Sequence, residues 1–297
     1  MKNKFVHNAL VFFAIFTMTI TGAMANTLEK AKTTGKFTLA YRESSIPFSY
    51  LGEDGKPLGF GWEMCKLIAE EVKKETGRKD LVVESQAVTS QNRIPLIQNG
   101  TVDVECGSTT NNSERGKQVT FAINYFYTGT RFLVKADSGI KSINDLKGKK
   151  VVSTTGTTNY QILRNLNDEK KYGFELLGAK DHADALLMVE SGMANAFGMD
   201  DILLYGLKAS SKESAKLAVV GESIQVEPYA IMFRKDDPKF QALVNKVITN
   251  SMKSGEFEKA YKKWFQTNIP PKNVNLNAPM SKELKDNLKA LSDKPAL

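Results

Sequence analysis

Strand-like and helix-like segments alternate along nearly the whole chain, and this alternation limits the possible folds more than any other feature. A β-like run at residues 36–41 precedes a helical pattern at 61–77, and a strand pattern at 81–87 leads into further helix and strand. The same order begins again after residue 130. Because such alternation is typical of parallel strands covered by helices, the sequence predicts an α/β protein.

The length of 297 residues is enough for two domains of ordinary size. The second α/β series is followed by a return of the chain at 225–229, and residues 230–234 resemble a further strand of the first layer. We therefore predict two α/β lobes joined by two hinge strands. The boundaries expected from the pattern are 26–124 with 230–297 for lobe 1, 130–224 for lobe 2, and 125–129 with 225–229 for the hinges.

The first 25 residues have the pattern of a secretory signal peptide. Lys2 and Lys4 precede an apolar run at 9–20, and the small residues that end at Ala25 form a cleavage site. A membrane-spanning helix is the alternative, but the run is shorter than the roughly 20 residues that a span requires. We expect cleavage after Ala25 and export to the periplasm.

The charged and metal-binding residues exclude several classes of function. Loss of Lys2 and Lys4 with the signal peptide would lower the formal net charge from +8 to +6, spread along the chain without an arginine-rich run. Such a pattern does not indicate nucleic-acid binding. His182 would be the single remaining histidine, which with two cysteines is too few for a usual structural zinc site. We expect no cofactor and no metal.

Cys65 and Cys106 are the two cysteines of the chain, and an exported protein is able to pair them. A disulfide requires Cα atoms within about 7 Å of each other, which the sequence does not establish. Two buried free thiols are the expectation, with pairing left open.

Residues 101–130 suggest a binding site for a small anion. A short apolar strand there ends in the hydroxyl-rich Gly107-Ser108-Thr109-Thr110, which is followed by a lone arginine, Arg115. Open α/β sheets bind ligands at the carboxyl ends of their strands, and a guanidinium suits a carboxylate. The alternative is a helix cap followed by a surface arginine.

Motifs throughout residues 28–271 resemble the amino-acid-binding solute receptors of ABC importers. These motifs are Pro47-Phe48, Gly59-Phe60, Ile94-Pro95-Leu96, Asn99-Gly100, Val102-Asp103, Ser113-Glu114-Arg115, Asp145-Leu146-Lys147-Gly148-Lys149, Thr155-Gly156-Thr157 and Tyr261-Lys262-Lys263-Trp264-Phe265. Arg42-Glu43-Ser44-Ser45, residues 89–93, 105–112 and 179–182, and Met199-Asp200-Asp201 are similar to the glutamate/aspartate-binding branch. The resemblance implies a type II periplasmic-binding-protein (Venus flytrap) fold. It also implies a monomer with an acidic amino acid as ligand and a membrane permease and ATPase as partners.

The same resemblance implies a set of ligand-binding residues. Arg115 would bind the α-carboxylate, with Thr110 and Thr158 as neutral donors, and Asp200 with the Ser108 region would bind the ammonium. The side-chain carboxylate would be bound by Arg42, Ser90, Arg93 and His182. Three arginines and one aspartate leave an excess of two positive charges, which favours an acidic ligand.

Each of these roles has a simpler alternative. Thr158 would instead cap a helix, His182 would be a satisfied histidine at a helix N-terminus, and Arg42 and Arg93 would be surface residues. Asp201 is expected to be the N-cap beside Asp200, although their roles are open to exchange.

An enzyme on the same fold, such as a dehydratase, is the rival class of function. The chain has no Gly-x-Ser-x-Gly elbow and no phosphate-binding Gly-x4-Gly-Lys-Ser/Thr loop, which favours a binding protein. A subunit that reports its ligand to a sensor is a further alternative.

Overall fold

The computed structural model describes residues 26–296. The predicted signal peptide at 1–25, and with it the proposed cleavage site, lies outside the described residues. None of the helices within the described part of the chain combines the length and apolar character that a membrane span needs.

Ten α-helices occur in residues 26–296. They are α1 (Thr27–Thr34), α2 (Phe60–Thr76), α3 (Arg93–Gln98), α4 (Ser113–Gly116), α5 (Thr158–Lys170), α6 (His182–Glu190), α7 (Asp201–Ser210), α8 (Pro238–Ser254), α9 (Glu256–Phe265) and α10 (Lys282–Ala290).

Fourteen strands alternate with these helices in the same part of the chain. They are β1 (Lys36–Tyr41), β2 (Ser44–Ser45), β3 (Ser49–Leu51), β4 (Pro57–Leu58), β5 (Val82–Ala87), β6 (Val104–Glu105), β7 (Val119–Lys135), β8 (Lys150–Thr154), β9 (Glu175–Ala179), β10 (Ala196–Asp200), β11 (Leu217–Val220), β12 (Val226–Arg234), β13 (Asn268–Ile269) and β14 (Val274–Asn275). The mixed α/β class expected from the alternation is confirmed.

The main sheet has the order β5-β1-β6-β12-β7-β10-β8-β9, and β11 also pairs with β7. The long strand β7 belongs to both halves of this sheet, because residues 119–129 pair with β12 and residues 130–135 pair with β10 and β11. The segments predicted as hinges therefore run side by side, with Val226 opposite Gly129 and Pro228 opposite Tyr127. Met232 and Phe233, within the segment 230–234, pair with β6 in the same half of the sheet as β1.

Helix α8 shows how local sequence sets the element bounds. Asp237 accepts a hydrogen bond from the Phe240 backbone N–H, Pro238 occupies the first turn, and Gly255 ends the helix in the left-handed conformation. The apolar face predicted from the spacing is buried, including Phe240, Val244 and Ile248. This face packs into the hydrophobic core that α2 shares.

The expectation of two free thiols is wrong, because Cys65 and Cys106 form a disulfide with their Cα atoms 5.6 Å apart. The bond joins α2 to the end of β6. A Cβ at Gly61 would overlap the carbonyl oxygen of Cys106, so the glycine allows the helix to approach the strand end this closely. That approach depends on packing between segments, which sequence spacing does not report.

The C-terminal segment docks on the rest of the protein. Asn287 in α10 is buried and donates to the carbonyl oxygen of Asn124 in β7 at 2.7 Å. The Nδ2 atoms of Asn111 and Asn124 donate to the carbonyl oxygens of Asp293 and Lys294 at 2.7 and 2.8 Å. The tail thus supports both a hinge strand and the loop that follows β6.

We expect the Cys65→Ala/Cys106→Ala protein to lose roughly 2–4 kcal/mol of unfolding free energy, because the 41-residue separation no longer restricts the unfolded chain. Urea unfolding with and without reductant measures the effect. Reductant should destabilise the native sequence and leave the double variant unchanged. Equal stability of the oxidised native protein and the variant would contradict this.

Candidate functional site

A small polar cavity of about 10 Å³ lies where the two halves of the sheet meet. Seven of the nine predicted site residues line it: Ser90, Arg93, Ser108, Thr110, Thr158, His182 and Asp200. The remaining two are adjacent, since Arg42 donates to Ser90 and Arg115 donates to the carbonyl oxygen of Thr110. Larger grooves exist on the surface, such as that between α2 and α8, but exposed Lys and Glu side chains line that groove.

The ends of the strands explain why these residues meet. Arg42 directly follows β1, and the loop 107–112 follows β6. On the other side, Thr158 opens the helix after β8, His182 opens the helix after β9, and Asp200 is the last residue of β10. The carboxyl ends of the parallel strands of each half therefore face one cleft, where ligands of open α/β sheets bind.

The arginines Arg42 and Arg93 are buried, which excludes the surface alternative for both. One nitrogen of Arg42, Nη2, donates to Ser90 Oγ at 2.8 Å and lies 3.9 Å from Asp181 Oδ2. Arg93 Nη1 donates to Thr109 Oγ1 at 2.6 Å. Within residues 26–296, Arg42 Nε and Nη1 and Arg93 Nε have no hydrogen-bond acceptor. Buried N–H groups without an acceptor are costly, so each of these three groups is available to an additional acceptor such as an anion.

His182 is buried between these arginines and the end of β8. Its Nδ1 lies 2.8 Å from Thr154 Oγ1, and its Nε2 lies 3.5 Å from Arg42 Nη2. Burial, followed by the charges of Arg42 and Arg93, lowers the pKa of His182 well below its usual value. The imidazole is therefore neutral, with Nε2 as the acceptor toward Arg42 because a guanidinium only donates.

Arg115 connects the two sides of the cleft. Its Nη1 donates to the carbonyl oxygen of Thr110 at 3.0 Å, and its Nη2 donates to the carbonyl oxygen of Gly156 at 3.2 Å. Gly156 has φ of +79°, and a Cβ there would overlap the backbone of Gln91. The glycine therefore allows the turn before α5 to pack directly on the opposite lobe.

Thr157, and not Thr158, caps α5, since the Thr157 side chain accepts from the Tyr160 backbone N–H. The capping alternative for Thr158 is therefore excluded. The hydroxyl of Thr158 instead donates to Glu227 Oε2 at 2.7 Å, and that of Thr110 donates to the same oxygen at 2.9 Å.

Asp200 is buried, with Oδ1 accepting from Asn159 Nδ2 at 2.8 Å and Oδ2 accepting from the hydroxyl of Tyr229. Burial, and next the charge of Glu227, raises the pKa of Asp200 well above its usual value. A nearby cation would reverse this shift. The expectation that Asp201 is the N-cap is wrong: Asp200 occupies that position without a capping bond, and Asp201 accepts from the hydroxyl of Thr128 at 2.7 Å.

Two buried carboxylates were missed by sequence reasoning. Glu105 Oε2 accepts from Thr109 Oγ1 at 2.5 Å, and Glu227 accepts from both cleft threonines. Each is a charged residue inside an apolar strand pattern, at Val102–Cys106 and Val226–Tyr229, and that pattern was the available signal. They correct the charge argument: three buried carboxyl groups accompany three guanidinium groups in the site, so net charge alone does not select an acidic ligand. Selection of an acidic ligand rests instead on the N–H groups of Arg42 and Arg93 that have no acceptor in the protein.

A two-lobed fold with a buried site of guanidinium groups, hydroxyls and carboxylates defines a receptor for a small charged ligand. The chain belongs to the bacterial extracellular solute-binding proteins, family 3, because the sequence model of that family matches residues 37–267. It is a binding protein of this family and not an enzyme.

The chain is 48% identical to the "L-glutamate/L-aspartate-binding protein" of Pseudomonas aeruginosa, with 97% of this chain and 96% of that protein covered. It is 46% identical to the "Glutamate/aspartate import solute-binding protein" of Escherichia coli, with 92% and 90% covered. Among solved structures, an ancestral arginine-binding protein bound to glutamine has a TM-score of 0.69 and 30% identity, covering 78% of this chain and 98% of that chain. These likenesses confirm the type II periplasmic-binding-protein fold and the resemblance to the glutamate/aspartate branch.

The buried neutral state of His182 predicts a pH effect on stability. The unfolded chain binds a proton at this residue below about pH 6.5, whereas the folded protein does not. The unfolding free energy should therefore fall as the pH drops below this value, by up to about 1.4 kcal/mol per pH unit. The His182→Gln protein should lack this contribution.

Chemical unfolding of both ligand-stripped proteins between pH 7 and 5 measures the difference in slope. The raised pKa of Asp200 changes the unfolding free energy with pH in the opposite direction. Because Asp200 is present in both proteins, its contribution cancels in the difference between their slopes. Parallel curves for the two proteins would show that His182 is protonated to the same degree in both states.

Proposed function

We propose that this protein is the substrate-binding component of an ABC amino-acid importer and binds L-glutamate, L-aspartate or both. The observation that carries the proposal is the set of buried, unpaired N–H groups on Arg42 and Arg93. A second carboxylate is the group that would satisfy them, and a neutral amino acid has none. The names of the two relatives support the same choice.

The ligand's other end would be held by the opposite part of the cavity. Arg115, near the N-terminus of α5, suits the α-carboxylate. Asp200 suits the ammonium, because a cation beside it would favour its ionised form. Ser90, Ser108 and His182 complete the pocket with neutral polar atoms.

Capture would occur by closure of the lobes over the ligand. Hydrogen bonds already join residues on the two sides of the cleft, including Arg115 with Gly156 and Ser44 with Asp181. A ligand that contacts both sides adds to these and shifts the population toward the closed form. The lobe boundaries at 125–129 and 225–229 are part of this proposal.

The protein would act as a periplasmic monomer that delivers its ligand to a permease and ATPase in the inner membrane. The names of the relatives support the role in import. A sensor that detects the liganded form is the alternative partner.

Expression in a Gram-negative host should yield a mature periplasmic protein that starts at Asn26. N-terminal sequencing of the periplasmic fraction tests this expectation, and a start at Met1 would contradict the proposed export.

Calorimetric titration of the ligand-stripped protein with glutamate, aspartate, glutamine and asparagine tests the ligand class. At least one acid should bind about 30-fold more tightly than its amide, because the amide NH2 cannot accept a hydrogen bond and leaves buried guanidinium N–H groups unpaired. Amides that bind as well as the acids would overturn the proposal.

Two variants distinguish the residue proposed to bind the α-carboxylate from one proposed to bind the side-chain carboxylate. Arg115→Ala should nearly abolish binding of every amino acid, whereas Arg93→Ala should weaken acidic ligands most. Arg164→Ala removes the same charge from the exposed face of α5 and serves as the control. An equal loss for acids and amides in Arg93→Ala would contradict the role given to Arg93.

A further inference from the structure

Glu227 is a buried carboxylate on the hinge strand β12 that contacts both sides of the cleft. Its Oε2 accepts from Thr110 Oγ1 at 2.9 Å and from Thr158 Oγ1 at 2.7 Å. Its Oε1 accepts from Gln225 Nε2 at 2.8 Å. Glu227 has no exposed surface, and one of its oxygens thus joins one threonine from each lobe.

Both threonine hydroxyls donate to Glu227 Oε2, so both direct their protons toward this residue. A hydroxyl has a single proton, and neither hydroxyl retains one for a second acceptor. The two hydroxyl oxygens lie 3.2 Å apart. With both protons turned toward Glu227, each oxygen has lone pairs available for a donor.

Thr110 and Thr158 line the same cavity as Asp200. The lining therefore includes one carboxyl group and two acceptor hydroxyls, and a second carboxyl group, that of Glu227, is hydrogen-bonded to both hydroxyls. A group with several N–H donors and a positive charge matches this arrangement, whereas a carboxylate would face lone pairs. The threonines were expected to donate to the α-carboxylate, and Glu227 reverses the polarity of their side chains.

We propose that Glu227 is a positioning residue for specificity: it fixes the hydroxyls of Thr110 and Thr158 as acceptors, and thereby makes the site select a ligand with an α-ammonium group. The inference rests on the proposed function, since it assigns part of that ligand. Glu227 acts through the threonines and through its charge. The α-carboxylate is left to Arg115 and to backbone N–H groups at the start of α5.

In Glu227→Gln, the amide NH2 donates to one threonine oxygen and turns that hydroxyl's proton into the cavity. An ammonium then loses one acceptor and part of the local negative charge. A hydroxyl in place of the ammonium is affected little, because it both donates and accepts. The ratio of the affinities for L-glutamate and L-2-hydroxyglutarate therefore reports the role of Glu227.

Calorimetric titration of the native protein, Glu227→Gln and Glu222→Gln with both compounds provides the test. In Glu227→Gln the affinity for glutamate should fall about 10- to 100-fold, while that for 2-hydroxyglutarate should change much less. Glu222→Gln removes an equal charge from an exposed position near the hinge and should preserve the native ratio. An equal loss for both compounds in Glu227→Gln would show a merely structural role and overturn the proposal.

Thr110→Val gives a second test if Glu227→Gln fails to fold. Loss of an acceptor should weaken glutamate more than 2-hydroxyglutarate, whereas loss of a donor to the carboxylate would weaken both equally and overturn the inference. The proposed function is tested separately, by comparing the affinities of the native protein for the acids and for their amides. If the native protein prefers the acids but the variants keep the native ratio of affinities for glutamate and 2-hydroxyglutarate, only the role of Glu227 is refuted.

Discussion

Three guanidinium groups and three carboxyl groups share one buried region, and the balance among them governs the site. Each guanidinium of Arg42, Arg93 and Arg115 is removed from water, and burial lowers the pKa of each one. Such charges persist in a protein interior when carboxylates and hydrogen bonds compensate them. Glu105 compensates on the side of Arg42 and Arg93, and Glu227 on the side of Arg115. Ligand recognition therefore takes place within a network in which buried carboxyl groups already accompany the guanidinium groups.

The antiparallel pair of β7 and β12 places part of this network on the hinge. Glu227 and Tyr229 lie two residues apart on β12 and therefore on the same face of the strand. One contacts the cleft threonines and the other donates to Asp200. Strands that connect lobes thus also complete the binding site. A change in hinge conformation would alter the surroundings of the proposed ammonium position directly, without an intermediate chain of contacts.

The sequence predicted the fold class and seven of the residues that line the cavity, because both depend on local patterns and on resemblance. Strand and helix periodicity is local, and the arginines lie in recognisable motifs. Contacts between segments were beyond such reasoning. Cys65 and Cys106 pair because Gly61 allows α2 to approach the end of β6 closely. The N-cap of α5 is Thr157 and not the next residue, and local sequence does not distinguish two adjacent threonines as caps. The roles of Glu105 and Glu227 depend on burial from both sides, which the isolated strand pattern does not reveal.

The unpaired N–H groups of Arg42 and Arg93 also connect recognition with closure. An N–H group that is buried without an acceptor costs about 1–3 kcal/mol relative to the same group in water. With the lobes apart, water would satisfy these groups, so the closed arrangement carries this cost unless an anion is bound. The proposed acidic ligand removes the cost with its second carboxylate, whereas an amide of the same shape removes it only in part. The same three N–H groups therefore disfavour closure around the wrong ligand and favour it around the right one.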